Sequence, residues 1–457
     1  MEYKDIIQHK DGYINSQKKR GKNYESINKI VLLYNQNIRL DFQNDMLKRL
    51  KNVIGPLIAK IKKTKTEPQN PQELDDDLVS EIFNYVSIKD TFDTAKHIVE
   101  TLTSVDLIKL SGLVTAKIND NKSKFPTIKE ELQQLSGQIG NRLYSSVPNG
   151  QDKVLHMYGD NKALKETSLL RHHELCTKTG MVNFTEGTNV AGNRGYYLVG
   201  MGVKLNRALM SYALNFLDQQ KYELYETPHM MTKQSLEGVA QLDDFQESLY
   251  ECGSDTDPKY LIATSEQPLT GMYRDKIVRS KQLPIKIGGL SHCYRKEAGS
   301  HGKDTLGIFR VHQFEKVEQF CLADSESSQQ LFDDMINLSK KFYESLKLSY
   351  RVVNIHAEDL NNAAHIKYDL EGYFPAAQNY KELVSCTNCT DYISKKIHCK
   401  DDKGKFVHML NATLCANTRT LCCILETYQT ETGIQVPDVL VPYMGGITHI
   451  PFKVNEK

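Results

Sequence analysis

Apolar residues recur in steps of three and four through Ile27, Val31, Tyr34, Ile38, Phe42, Met46, Leu50, Ile54, Leu57 and Ile61. That spacing lines one face of a long amphipathic helix. Gly55-Pro56 interrupts the pattern and predicts a kink or a break. Proline and acidic residues crowd the following stretch, KTEPQNPQELDDD, which reads as a linker, and short helical segments are expected over 78–102. A second helical pattern runs through Val105, Ile108, Leu113 and Ile118, then Ile128, Leu132, Leu135, Ile139 and Leu143. Pro126 divides it, and Thr127 to Glu130 has the form of a capping box, so a kinked or two-piece helix is expected. Two such helices, close in sequence and each with one apolar stripe, pack most simply as an antiparallel, coiled-coil-like pair. The bland reading of that pair is a plain bundle serving as spacer or dimerisation element.

The breaker cluster SSVPNG at 145–150 sets the expected boundary, with a helical arm over 1–148 and a second domain over 149–457. Beyond it the pattern shortens to alternating segments, and an α+β domain built on an antiparallel sheet flanked by helices is expected. Leu205, Ala208, Leu209, Tyr212, Ala213 and Phe216 trace a helix face, followed by the strand-like YELYETP ending at Pro228. YLIATSEQPLTGM places Thr264 and Glu266 on one face of a strand that Pro268 stops. A helix is expected around 327–346 and a strand over 350–355, followed by the stretch KELVSCTNC. FVHMLNATL puts Asn411 and Thr413 on one strand face and leads into a helix with Arg419 in its first turn, near the partially positive end.

Between these segments, CYRKEAGSHGKDTLGIFRVHQFEKVEQF, from Cys293 to Phe320, reads as a hairpin. Its first strand ends at Glu297, a polar loop carries Gly299, Gly302 and Gly307, and a second extended run starts at Ile308. Alternation puts Arg310, His312, Phe314, Lys316 and Glu318 on one face and Phe309, Val311, Gln313, Glu315 and Val317 on the other. Arg295 and Glu297 share a face of the first strand. Charges alone are equally consistent with a solvated sheet surface. A flat apolar ring among arginines favours a nucleotide, with the base beside its phosphates.

Composition narrows the class. The chain has 457 residues, 40% hydrophobic and 25% charged, and no apolar run approaches the length needed to span a bilayer. The polar N-terminus has no apolar core of a signal sequence, and its acidic residues argue against a transit peptide. All ten cysteines lie beyond residue 175, some adjacent, which suits reduced thiols rather than a disulfide framework. Lys+Arg exceed Asp+Glu by 23 to 19 in residues 1–150, leaving 35 against 38 for the rest. Lys48, Arg49, Lys51, Lys60, Lys62, Lys63 and Lys65 form a basic run with no acidic residue between them, fit for phosphate backbones or for a solvated helix face. Cys386-Thr-Asn-Cys389 with His398 and Cys399 invites a zinc reading, but the adjacent second pair has the wrong spacing, and no zinc is expected. His172, His173 and His312 read as structural or hydrogen-bonding residues.

Taken in order, YELYETPHMM, the hairpin and LNATLCANTRTLCCILETYQ resemble the three motifs of class II aminoacyl-tRNA synthetases. TSEQP and ELVSCTNC resemble blocks of the seryl branch, in its eukaryotic cytosolic form. The resemblance covers the chain from about residue 150 onward and, more loosely, the arm. It implies an ATP-dependent ligase that converts L-serine to seryl-adenylate and transfers serine to the 3′ end of tRNA(Ser), and of tRNA(Sec) where present. It also implies a cytoplasmic homodimer with Pro228 at its interface, and Mg2+ bound with ATP.

The same resemblance implies site roles. Arg295, Arg310 and Arg419 would carry catalysis: Arg295 on the ATP α-phosphate and the serine carboxylate, Arg310 on the phosphates, and Arg419 on the adenine and γ-phosphate. Glu297, Val311, His312, Phe314, Glu382, Leu383, Val384 and Ser385 would complete the ATP site, with Phe314 stacked on adenine and Glu382 and Ser385 on the metal. Thr264, Glu266, Arg295, Glu318, Asn411 and Thr413 would frame serine. Lys48, Arg49, Lys51, Lys60, Lys62 and Lys63 would meet tRNA. Two competing readings stay open: a non-catalytic paralogue, which would have lost the phosphate-handling arginines, and a sister class II enzyme, which would carry an editing or anticodon-binding domain.

Overall fold

Two long helices, α1 (Glu25–Thr64) and α4 (Ser104–Gln138), dominate the N-terminal part of the chain. The computed structural model describes residues 3–159, 169–239, 249–297 and 306–453. The chain divides into two compact units, Met1–Lys18 with Lys22–Ile139, and Lys19–Gly21 with Gly140–Lys457. Between the long helices of the first unit lie α2 (Asp76–Val86) and α3 (Phe92–Glu100). Asp75 caps α2 by accepting from the Leu78 amide at 2.7 Å, and Thr103 caps α4 by accepting from the Asp106 amide at 3.2 Å.

Met46, Leu47, Leu50 and Ile54 of α1 pack with Leu107, Leu110, Val114 and Ile118 of α4. Toward the other end, Ile27, Ile30 and Leu40 meet Ile128 and Leu132, so the helices run antiparallel. A buried hydrogen bond from Asn121 to Asn44, at 3.1 Å, crosses the apolar seam and fixes its register. Neither proline breaks its helix: Pro56 and Pro126 both sit inside continuous helices, and Thr127–Glu130 is helix interior rather than a cap. A proline in a helix interior costs about 3 kcal/mol. Here the apolar stripe continues on both sides of each proline, with Leu57, Ile58 and Ile61 beyond Pro56 and Ile128 and Leu132 beyond Pro126. Breaking either helix would expose that stripe. The sequence pattern also chose the wrong row at the start of α4. Val105, Ile108 and Leu113 are exposed, and the buried row is Leu107, Leu110, Val114 and Ile118. Both rows have helical spacing, and only the partner helix selects between them.

The second unit is built on an eight-stranded sheet. Its strands are β1 (Lys153–Tyr158), β2 (Glu223–Glu226), β3 (Ile285–Tyr294), β4 (Gln313–Ala323), β5 (Tyr350–Asn354), β6 (Ile366–Phe374), β7 (Asn379–Asn388) and β8 (His408–Ala416). They lie in the order β1-β5-β6-β7-β8-β4-β3-β2. Every pairing is antiparallel except β2 with β3, which is parallel. Helices α5 (Met201–Gln219), α6 (Glu266–Gly271), α7 (Ser328–Ser345), α8 (Tyr392–Ile397) and α9 (Asn417–Thr427) complete the α+β unit.

Alternation along β4 separates core from site. Val317, Cys321 and Ala323 join Leu205, Leu209, Phe332, Met335, Leu421 and Ile424 in the main core, and Gln319 donates to the Met335 carbonyl at 3.2 Å. Phe314, Lys316 and Glu318 face the other way, into a cavity. Arg20, distant in sequence, belongs to this unit. Its guanidinium is buried and donates to the carbonyls of Leu360 (3.0 Å), Asn361 (2.8 Å), Ala364 (2.6 Å) and Asn141 (3.2 Å). It thereby braces the 360–364 loop, two of whose residues line the cavity. Among the described residues no helix is long and apolar enough to cross a membrane.

Candidate active site

Beside the cavity, the Ser265 and Leu269 side chains pack closely on the backbone of β3. At Gly289 of β3 a Cβ would lie 2.8 Å from Ser265 Oγ and 2.7 Å from Leu269 Cδ1. Only glycine lets the turn before α6 settle onto the strand. That turn delivers Thr264 and Ser265 to Glu318, which pairs across the sheet with Gly289 on one side and Thr413 on the other. Glu318 accepts from Thr264 Oγ1, from Ser265 Oγ at 3.3 Å and from Thr413 Oγ1 at 3.2 Å, and forms an ion pair with Lys316. Its whole environment is set for a carboxylate. Burial pushes its pKa up, but Lys316 and the hydrogen bonds from Lys316, Thr264 and Thr413 outweigh that and hold it below the usual glutamate value.

Glu266 stands beside it in the opposite condition. Asn411 Nδ2 donates to Glu266 Oε1 at 2.8 Å. Burial first, and then the Glu318 charge, push the Glu266 carboxyl up to about 7. Two neighbouring carboxylates with divergent pKa values, ringed by hydroxyls and an amide, make a small polar pocket.

The cavity continues from this pocket over Arg295, Phe314, Arg310, Glu297, Phe309, Glu382, Ser385 and Arg419, and its volume is about 450 Å³. Arg295 lies over the Phe314 ring, 5.3 Å from its centroid, and reaches the Ala263 carbonyl at 3.4 Å. Arg310 pairs with Glu297 at 3.4 Å. Arg419, in the first turn of α9, pairs with Glu382 at 3.3 Å and lies 5.1 Å over the Phe309 ring. Behind Glu382, Asp369 of β6 is buried, pairs with Lys367 at 3.0 Å and keeps one oxygen without a hydrogen-bond partner among the described residues. Burial, and the Glu382 charge acting against Lys367, raise the Asp369 pKa. Glu382 is held low, because Arg419, Lys367 and Arg295 outweigh its own desolvation.

A model of the tRNA synthetase class II core domain (G, H, P, S and T) matches residues 250–428. The serine–tRNA ligase of Helianthus annuus is 50% identical over 69% of this chain and 74% of its own length. The chain belongs to the seryl-tRNA synthetases. Two solved structures extend the likeness to nearly the whole length. The cytoplasmic serine–tRNA ligase of Naegleria fowleri, in complex with AMP, is 38% identical with a TM-score of 0.88 over 97% of this chain and 96% of its own. The seryl-tRNA synthetase of Pyrococcus horikoshii, complexed with ATP, is 28% identical with a TM-score of 0.85 over 99% of this chain and 100% of its own.

Most of the residues expected at the synthetase's site gather in this cavity: Thr264, Glu266, Arg295, Glu297, Arg310, Val311, Phe314, Glu318, Glu382, Leu383, Ser385, Asn411, Thr413 and Arg419 line it. Two do not. Val384 is buried in the core, and His312 instead closes the mouth of the hairpin, where Arg295 N donates to His312 O at 2.9 Å and His312 Nδ1 lies 3.0 Å from Arg295 O. The strands are shorter than expected. β3 stops at Tyr294 and Glu297 adopts a left-handed φ of 49°. β4 starts at Gln313, and 308–312 is irregular. Strand alternation therefore fails before Gln313, and Phe309 and Val311 line the cavity beside Arg310. Gly299 and Gly302 of the loop lie outside the described residues. Thr264 and Glu266 share no strand: the strand ends at Leu261, and Glu266 opens α6, with Pro268 in its first turn.

Lys316, Lys367, Phe309, Asp369 and Lys396 were not singled out from the sequence. Lys316 alone left a signal, by sharing a face with Phe314 and Glu318. His172 is buried against Glu426 at 2.9 Å. The ten cysteines are all free, and among the described residues no three His, Cys, Asp or Glu side chains gather to hold a metal. Lys48 pairs with Asp45 at 2.9 Å, Arg49 lies 5.4 Å over the Phe92 ring, and Lys51 donates to Thr115 at 2.8 Å. Lys60, Lys62 and Lys63 are exposed.

Glu266 provides a pH test. Its carboxyl holds a proton in the folded state up to about 7, whereas the unfolded chain releases it near 4.5. The folded state therefore binds more protons across that window, and stability falls as pH rises through it, then levels. Glu266→Gln lacks this loss. Its melting temperature relative to the parent should rise by several degrees between pH 4.5 and pH 8; a constant difference across that range would contradict the raised pKa.

Proposed function

We propose that the chain is an active, cytoplasmic serine–tRNA ligase: it joins serine to ATP as seryl-adenylate and then transfers serine to the 3′ end of tRNA(Ser). The observation that carries this reading is one continuous cavity. It joins a ring-and-arginine wall (Phe314, Arg295, Arg310, Arg419) to a pocket of hydroxyls, an amide and two carboxylates.

In the first step a serine carboxylate oxygen attacks the α-phosphorus, the bond to the β-phosphate oxygen breaks, and pyrophosphate leaves. Both reactants are anions, so the main task is to hold them together and to meet charge. Arg295 takes the α-phosphate with the serine carboxylate, since a guanidinium binds two oxygens at once. Phe314 carries the adenine, Glu297 its amino group, and Arg310 and Arg419 the outer phosphates. Glu318, held ionised, receives the serine ammonium, while Thr264, Glu266, Asn411 and Thr413 enclose its hydroxyl. Such a pocket rejects alanine, which would strand buried polar groups unpaired. In the second step a terminal ribose hydroxyl of tRNA attacks the seryl carbonyl carbon and AMP departs.

Mg2+ fits the donor set beside the phosphates, because Glu382, Ser385 and the Asp369 oxygen that has no hydrogen-bond partner among the described residues are hard oxygen donors of the kind that ion takes. Glu382 and Ser385 would hold it, and when bound it neutralises triphosphate charge. Homodimerisation is supported by exposed apolar side chains on the edge strand β1 (Val154, Leu155, Met157) and near Pro228 (Leu224, Met230). Sedimentation at about twice the 52.1 kDa chain mass checks it.

The deciding measurement is pyrophosphate exchange with each of the twenty amino acids. Serine alone should drive it, and exchange driven by another amino acid, or by none, would overturn the assignment. The arm is the tRNA reader, gripping the duplex by shape and phosphate charge. Neutralising Lys60, Lys62 and Lys63 together should lower kcat/KM for tRNA by about tenfold or more at moderate salt. Serine-dependent exchange should stay unchanged; a parallel fall would argue against a separate tRNA module.

A further inference from the structure

Six cationic side chains line the cavity: Arg295, Arg310, Lys316, Lys367, Lys396 and Arg419. Four of them pair with carboxylates: Arg310 with Glu297, Lys316 with Glu318, Lys367 with Asp369 and Arg419 with Glu382. Arg295 donates to the Ala263 carbonyl. Lys396 alone has, among the described residues, neither an ion pair nor a hydrogen bond; its ammonium lies 4.6 Å over the ring of Tyr392, which is itself buried. Lys396 is half-buried, and a partly desolvated cation with no counter-charge among the described residues favours an arriving anion. Burial lowers the Lys396 pKa, in keeping with that unmet charge.

Position tells which anion. Lys396 is carried by α8, which begins three residues after Cys389. The Cys389 thiol accepts from Asn411 at 3.9 Å, and Asn411 holds Glu266. The segment that carries Lys396 thus starts at the serine-pocket end of the cavity, at Cys389, whereas Phe314, Arg310 and Arg419 form the nucleotide wall. Asn361 and Ala363, on the loop braced by Arg20, also line the cavity. The second half-reaction requires a terminal ribose hydroxyl to reach the seryl carbonyl. That places the phosphodiester of the last nucleotide within one nucleotide's length of the serine pocket.

We infer that Lys396 is a tRNA-binding residue that receives a phosphodiester of the tRNA 3′ end during transfer. This rests on the serine–tRNA ligase reading. The competing source of the same chemistry is a phosphate of ATP, and the two half-reactions separate them.

The test uses the full-length enzyme with Lys396→Gln and Lys396→Arg. Serine-dependent pyrophosphate exchange should stay within about twofold of the parent. Single-turnover transfer from preformed seryl-adenylate to tRNA should fall about 10- to 100-fold in Lys396→Gln and largely recover in Lys396→Arg. The dependence of log kcat/KM for tRNA on log salt should flatten by about 0.7, the contribution of one single-strand phosphate contact. Unchanged transfer in Lys396→Gln overturns the inference. A parallel loss of exchange assigns Lys396 to ATP or serine instead, and a failure of Lys396→Arg to recover makes the role one of packing. If the parent itself shows no serine-dependent exchange, the underlying functional reading fails, an outcome distinct from all of these.

Discussion

Serine-dependent pyrophosphate exchange should fall by about a thousandfold or more in Arg295→Ala, with the melting temperature nearly unchanged. The reason lies in how Arg295 is held. It sits just past the end of β3, half-buried, with a long 3.4 Å hydrogen bond to the Ala263 carbonyl and the Phe314 ring 5.3 Å away. Among the described residues no carboxylate pairs with it, so folding asks little of its charge and the substrates ask much. Removing one preorganised donor at a developing charge typically costs about 10²–10³ in rate. Arg295 is assigned to both reactants, so the loss should reach the upper end of that range or exceed it. Lysine in its place keeps the charge but not the two-pronged geometry, and should restore little. Near-parental exchange in the alanine variant would remove Arg295 from the mechanism.

Glu318→Gln should act on stability and specificity together. The side chains of Glu318 and Lys316 are 6% and 8% exposed, and the substitution leaves Lys316 charged and buried. Breaking such a pair from one side costs about 3–5 kcal/mol. The serine KM should rise by about a hundredfold or more, through loss of a charge-assisted bond to the ammonium. The Glu266 pKa should move down, because the Glu318 charge is the second cause of its elevation. Removing Lys316 as well, in Lys316→Met with Glu318→Gln, should recover part of the stability but none of the serine affinity. Single-variant melting temperatures equal to the parent's would show that the pair is not buried in solution.

The same site shows how far local pattern reaches. From Gln313 onward the alternation of β4 correctly separated Phe314, Lys316 and Glu318 from Val317, because a strand paired on both sides cannot rotate its side chains off the pleat. Upstream, at 308–312, no pairing enforces that period, so Phe309 and Val311 reach the cavity from what the pattern called the far face. Thr264 and Glu266 both line the cavity, but not from a shared strand face. A turn and a helix start, not a strand, bring them together, and the glycine that permits it lies on another segment. Asp369 and Lys367 left no mark in the sequence, since on a strand a buried ion pair at i and i+2 looks like any polar alternation.

By itself the sequence determined the elements and the chemistry they could carry: two long helices, a run of short strands, and a nucleotide-fitted face on one of them. Those signals are local, written in periods of 3.6 and 2 residues and in motifs a few residues long. Only the tertiary structure decided which of two helical rows in α4 is buried, that both proline-containing helices run unbroken, and which cation in the cavity is left without an ion pair among the described residues. Each of these depends on what lies opposite in space, and the free energy of burial or of an unmet charge belongs to the pair of surfaces rather than to either segment.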